Sequence, residues 1–165
     1  MLKKFLVLFI IALISLPAWA EIGSPPPPFK LPDLNGRTVM LQDHLKKDAV
    51  LISFFTSWSK SCAEEISFLQ SLSKKYKEKG LTVIGISFDR KAAELRSFAS
   101  KNKIDFTILQ DRKLQMLKDY RILIIPTLFV IDKEGNIKSI YVDFDQNVEK
   151  AVSEEIGRLL NPPKT

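Results

Sequence analysis

Two apolar runs separated by one helical stretch constrain this chain more than any other feature. "AVLISFF" at 49–55 and "LTVIGIS" at 81–87 are each of strand length and almost continuously apolar. A strand with one wet face alternates apolar and polar side chains, whereas an unbroken run is buried on both faces. Between the two runs the apolar period changes. Cys62, Ile66, Leu69, Leu72 and Tyr76 recur at threes and fours within 61–79, the spacing of one helical face, and Gly80 stands where such a helix would stop. A strand, a helix and a second doubly buried strand form a parallel unit whose sheet needs helices on its faces.

The remaining segments extend this unit. "KAAELRSFASKN" at 91–102 reads as an amphipathic helix, "DFTILQ" at 105–110 as a short strand and "RKLQMLKDY" at 112–120 as a short helix. "PTLFVID" at 126–132 is a further strand, which "KEGN" at 133–136 turns into "IKSIYVD" at 137–143 before a closing helix over 146–160. That ending places an antiparallel edge on the parallel core, so the expectation is a three-layer α/β sandwich. Upstream, Asn35-Gly36 in "LNGRTVML" signals a tight hairpin, and "GSPPPPFKLP" at 23–32 reads as a stiff polyproline-like lead-in. The chain carries no internal repeat.

Residues 1–20 read as a targeting segment. Lys3 and Lys4 precede an apolar run from Phe5 to Leu16 interrupted only by Ser15, and Ala18-Trp19-Ala20 has the small-x-small form of a cleavage site. The run falls short of the roughly 18 apolar residues that span a bilayer comfortably. The expectation is a cleaved secretory signal and an extracytoplasmic, periplasmic protein; the alternative is an uncleaved inner-membrane anchor, the only membrane contact the sequence suggests. The domain reading is then a signal over 1–20, a Pro-rich lead-in over 21–32 and a single domain over 33–161. The net charge of +6 falls to +4 when Lys3 and Lys4 leave with the leader. Many lysines cluster in "SKKYKEK" at 73–79, where they suit the end of a helix, and no nucleic-acid motif accompanies them. His44 is the only histidine and has no second ligand nearby, so neither a metal nor a cofactor is expected.

Cys62 is the only cysteine, which rules out a disulfide within the chain. It lies in "SWSKSCAEE" at 57–65, which reads as a redox-active helix start with one cysteine missing. Structural readings exist for each residue here. Ser59 or Ser61 suits a helix N-cap, Ser61 with Glu64 fits a capping box, and Cys62 is the size of a buried hydrophobe. Glu65 fits a first-turn acid, and Trp58 a hydrophobic plug.

Two separated motifs carry a family likeness: "LISFFTSWSKSCAEEI" at 51–66 and "IIPTLFVIDKEGNI" at 124–137. With Gly23, Pro25, Phe29, Leu31, Asn35-Gly36 and Thr38 ahead of them, the chain resembles the TlpA/ResA-like branch of the thioredoxin fold, exported bacterial thiol–disulfide proteins. The resemblance covers about residues 23–160. It implies a thioredoxin fold, with a central mixed sheet flanked by helices and an N-terminal β-hairpin extension. It places Trp58 at the family's active-site tryptophan and Ser59 at its attacking cysteine. Cys62 falls at the resolving cysteine, Glu65 at an acid implicated in proton handling, and Pro126, after Ile125, at a cis-proline facing the site. Ser53 falls where thioredoxins bury an aspartate. The role implied is thiol–disulfide homeostasis among exported protein thiols or disulfides, apocytochromes awaiting haem included, with a redox partner protein.

The departure at Ser59 bears on that role. Exchange needs one thiolate to attack and a second thiol to resolve the mixed disulfide, and a serine hydroxyl does not ionise near neutral pH. Three readings stay open. The first is a thiol protein that forms mixed disulfides through Cys62 and needs a partner to resolve them. The second is a single-cysteine peroxidase, since "SKSC" loosely resembles a peroxiredoxin T-x-x-C. The third is a redox-silent peptide-binding module using Trp58, Phe88 and the Pro126 loop.

Overall fold

The computed structural model describes residues 20–161, so the leader lies outside the described residues apart from Ala20. Two short strands, β1 (Lys30–Pro32) and β2 (Thr38–Met40), pair antiparallel as a hairpin. Its turn is set by Asp33, whose carboxylate accepts the backbone N–H groups of Asn35 and Arg37 at 2.8 Å each, and by Gly36 at φ +80°. The main sheet contains β3 (Ala49–Phe55), β4 (Leu81–Ser87), β5 (Thr107–Gln110), β6 (Thr127–Ile131) and β7 (Ile137–Val142), in the order β5-β4-β3-β6-β7. β3, β4 and β5 run parallel, and β6 and β7 add the antiparallel edge. The arrangement agrees with the mixed sheet implied by the resemblance.

β3 is central and all seven of its residues are buried. Its side chains alternate between two cores. Val50, Ile52 and Phe54 face one side, with Phe29, Leu41, Tyr120 and Phe129. Ala49 and Leu51 face the other, under Leu69 and Leu72 of α1 (Lys60–Tyr76) and Val152 and Ile156 of α4 (Gln146–Leu160). Phe55 continues that second face with Cys62, Ile66, Ile108 and Leu95 of α2 (Ala92–Lys101). The short α3 (Gln115–Asp119) brings Met116 to the first face.

The helix signals resolve differently from expectation at one point. Ser59 is the N-cap of α1, with extended backbone, and its hydroxyl accepts the Cys62 N–H at 3.3 Å. The Ser61–Glu64 capping box is not made. Ser61 lies inside the first turn and donates instead to the Asp143 carboxylate at 3.1 Å. At the other end a short 3₁₀ turn, Lys77–Lys79, runs into Gly80 at φ +87°, the left-handed stop expected there.

The lead-in behaves as a strap. Gly23 N–H donates to the Ile137 carbonyl at 2.7 Å, and Ile137 N–H returns a bond to Ser24 at 2.9 Å, at the first residue of β7. The chain then crosses the first face of the sheet, where the Tyr120 hydroxyl donates to the Pro27 carbonyl at 2.7 Å and Phe29 is buried. It reaches the opposite edge as β1, and Asp33 bridges Leu109 of β5. Among the described residues no helix is long and apolar enough to cross a membrane.

Candidate active site

The centre of the site is the first turn of α1. β3 delivers the chain to Thr56, a short loop carries Ser57 and Trp58, and Ser59 caps the helix. Cys62 is fully buried, packed with Phe55, Ile66, Leu95 and Ile108. Burial pushes its thiol above the ordinary cysteine value; the Ser59 hydroxyl and Thr56 pull the other way without overcoming it, and the charge of Glu65 adds to the rise. The Thr56 hydroxyl beside the site is itself buried and makes no hydrogen bond. The residue at the helix start, where backbone N–H groups would stabilise a thiolate, is therefore a hydroxyl, and the thiol lies behind it in an apolar shell.

Glu65 lies one turn further along the buried side of α1. It is 1 % exposed, and Ser53 of β3 donates its hydroxyl to Oε2 at 2.6 Å. Burial pushes its carboxyl up to about 8, and the Ser53 bond only partly offsets this. Near neutral pH Glu65 is thus mostly a neutral acid in the core. The reading of Glu65 as a first-turn acid does not hold: α1 begins at Lys60 and its first turn carries no acid, while Glu65 lies a turn further on, buried against Ser53. Ser53 occupies the strand position expected from the resemblance and makes a partner for this acid.

The loop ahead of the helix is held by Asp89. Its carboxylate accepts Ser57 N–H and Ser57 Oγ–H, each at 2.8 Å, and Ser87 Oγ–H at 2.6 Å. Opposite, the Ile125–Pro126 peptide bond is cis. Pro126 connects to the helix start through one residue: Asp143 N–H donates to the Pro126 carbonyl at 2.9 Å, while the Asp143 carboxylate accepts Ser61. Ile125 packs against the cluster that contains Cys62. A groove of about 550 Å³ opens on this side, with Trp58, Phe88, Leu117, Leu123 and Ile125 as its apolar wall and Arg90 and Lys91 at its rim. Lys91 is paired with Glu94 at 2.8 Å.

The structure thus brings Ser59, Cys62 and Glu65 onto one helix, with Ile125 against the thiol's cluster and Pro126 linked to Ser61. Trp58 does not plug anything. It is 76 % exposed and stands over the groove that Ile125 also lines. His44 ends the 3₁₀ turn Leu41–Asp43, and among the described residues no group of three or more acidic, histidine or cysteine side chains is placed to hold a metal. Sequence reasoning missed Thr56, Asp89 and Asp143. "SFDR" at 87–90, a polar exit from a buried strand, was the one available sign of Asp89.

Comparison with known proteins bears on the family and the fold. The model of the AhpC/TSA family matches residues 22–140. The thiol-disulfide oxidoreductase ResA of Bacillus thuringiensis subsp. konkukian (strain 97-27) is 32 % identical over 117 residues, 71 % of this chain and 67 % of that protein. A crystal structure assigned provisionally to the thiol:disulfide interchange protein DsbE of Chlorobium tepidum superposes with a TM-score of 0.81 at 28 % identity, covering 86 % of this chain and 99 % of that one. The peroxidoxin BcpB of Mycobacterium tuberculosis, at 20 % identity and a TM-score of 0.72 over 88 % of this chain and 99 % of its own, shares the fold alone.

Proposed function

The chain belongs to the AhpC/TSA family, among its thioredoxin-like thiol–disulfide oxidoreductases, and from that premise we propose that it serves thiol–disulfide homeostasis outside the cytoplasm with a site reduced to one thiol. The observation that carries the reading is the position of that thiol: Cys62 is the sole cysteine, and the helix-start seat ahead of it is filled by Ser59 as an N-cap. Chemistry at this site stops at a mixed disulfide. The Cys62 thiolate attacks a client disulfide, the new S–S bond forms to one client sulfur, and the other leaves as a thiolate that takes up a proton. Glu65, a buried acid one turn away that keeps its proton near neutral pH, is the group suited to giving a proton to the departing sulfur, while the proton of the Cys62 thiol goes to solvent. Release needs a second thiol from a partner protein, because none exists in the chain.

A binding role is the second reading, and the groove beside cis Pro126 favours it. Trp58, Leu123 and Ile125 offer an apolar surface that seats an extended client segment without any thiol step. The peroxidase reading has less behind it, since the peroxidoxin it rests on is 20 % identical and shares the fold alone. The test is insulin reduction by the unaltered chain beside Ser59→Cys. Turnover by the variant alone supports a scaffold that has lost only its attacking thiol. Cys62-dependent catalytic turnover by the unaltered chain would overturn the single-thiol reading.

A further inference from the structure

The hydroxyl groups around the site have ordinary partners, with one exception. Ser53 donates to Glu65 at 2.6 Å, Ser57 and Ser87 to Asp89 at 2.8 and 2.6 Å, Ser61 to Asp143 at 3.1 Å and Thr127 to the Ile124 carbonyl at 2.6 Å. Thr56 is 4 % exposed, and among the described residues its Oγ1 is the buried side-chain polar atom that lacks a hydrogen bond. A buried hydroxyl without a partner weakens a fold, and a valine would fill nearly the same space without one. The threonine is explained by a state in which its hydroxyl finds a partner.

Its surroundings identify that state. Thr56 follows Phe55, the end of β3, whose ring packs with Cys62. It also lines the groove beside Trp58 and Ile125, so it adjoins both the thiol and the surface that a client would reach. Its backbone and its hydroxyl both pull the Cys62 thiol down against burial, as the Ser59 hydroxyl does. The side chains clustered with Cys62 are apolar: Phe55 of β3, Ile66 of α1, Leu95 of α2, Ile108 of β5 and Ile125 ahead of Pro126. Glu65 is the titratable group whose charge reaches the thiol. A neutral thiol is a weak acceptor and a sulfur anion a strong one, and a threonine O–H turns about its Cβ–Oγ bond without moving the side chain.

We propose that Thr56 is the donor that stabilises the Cys62 thiolate: once the thiol has given its proton to solvent, the Thr56 hydroxyl turns its hydrogen onto Sγ and, with Ser59, holds the anion for attack on a client disulfide. This rests on the single-thiol reading. The hydroxyl keeps its own proton throughout. The same bond assists release: a partner's thiolate attacks the client sulfur of the mixed disulfide, the S–S bond breaks, and Cys62 leaves as the anion that Thr56 receives.

The test uses the full chain labelled with [3-¹³C]cysteine. One cysteine gives one signal, and its shift follows ionisation without a reagent having to reach the core. The unaltered chain, Thr56→Val and Thr56→Ser are titrated from pH 6 upward for as long as each stays folded, and their urea midpoints are compared at pH 7. Glu65, pushed up to about 8, titrates alike in all three. A hydrogen bond to a charged group is strong enough to move an ionisation by about one pH unit or more. The expected result is a Cys62 midpoint at least about one pH unit higher in Thr56→Val and within about half a unit of the unaltered chain in Thr56→Ser, with a urea midpoint in Thr56→Val no lower than that of the unaltered chain. Equal Cys62 midpoints, or a shift in Thr56→Val that Thr56→Ser shares, would overturn the role of Thr56 and leave the single-thiol reading in place. A lower urea midpoint in Thr56→Val would overturn it too, since the hydroxyl would already be bonded in the resting state. A Cys62 that stays a thiol until the unaltered chain unfolds would overturn both.

Discussion

Replacing Glu65 with glutamine tests the electrostatics of the site without changing its shape. In the fold the Glu65 carboxyl ionises at about 8, against 4.5 ordinarily, because it is buried and has only the Ser53 hydroxyl to support a charge. The folded chain therefore holds a proton at Glu65 across that interval while the unfolded chain has lost it. Stability falls as pH rises wherever the folded state binds more protons, so this residue weakens the fold progressively from pH 4.5 to about 8 and adds nothing further above that. Each pH unit corresponds to about 1.4 kcal/mol, so the whole interval amounts to about 5 kcal/mol. The glutamine amide retains an oxygen for Ser53 and cannot ionise. The stability of Glu65→Gln relative to the unaltered chain should thus climb by about 5 kcal/mol between pH 4.5 and 8.5, or about 2.5 M in urea midpoint at a slope near 2 kcal/mol/M. Urea unfolding of both proteins followed by tryptophan fluorescence at half-unit steps of pH measures this, and the other carboxylates cancel in the difference. A difference that stays flat within ~1 kcal/mol from pH 5 to 8.5 would mean that Glu65 carries its charge in the core, and the proton-donor role proposed for it would fall with that.

The site yields three further expectations. Ser59→Cys should form a reversible disulfide with Cys62 under mild oxidant, since the two positions lie three residues apart at the start of one helix; free thiol remaining in the folded variant counts against a preserved scaffold. Alkylation of Cys62 by iodoacetamide should be slow in the native protein and accelerate at least a hundredfold in denaturant, because the side chain is fully buried and its thiolate disfavoured; rapid native labelling contradicts that placement. Asp89→Ala strands the hydroxyl groups of Ser57 and Ser87 and should cost about 2–4 kcal/mol in urea unfolding, with Trp58 emission shifted as its loop loosens.

Much of the fold was legible because apolar periodicity sets both element type and layer. β3 and β4 begin and end at the residues where the runs "AVLISFF" and "LTVIGIS" do, and the helical face from Cys62 to Tyr76 is the buried face of α1. The cis bond at Pro126 also followed from the resemblance. What escaped depends on partners distant in the chain. Nothing near Asp143 announces that it joins Ser61 to Pro126, and Asp89 reaches back 32 residues to Ser57. Ser61 fits a cap by local pattern, but the backbone turns helical one residue earlier and Ser59 takes the role. Trp58 escaped because hydrophobicity alone does not say which side of a loop faces out.

The strap formed by the lead-in has a consequence for assembly in time. It touches both margins of the sheet, Ile137 at the start of β7 and Leu109 in β5, so each margin is partly shielded from pairing with another chain. Yet its residues are among the first to leave a ribosome or a translocation pore, and Ile137 is among the last. Until nearly the whole chain has emerged, the strap has nothing to fasten to and both margins lie open. The interval of greatest exposure to neighbouring chains is therefore set by the rate of delivery, and it ends when β7 arrives.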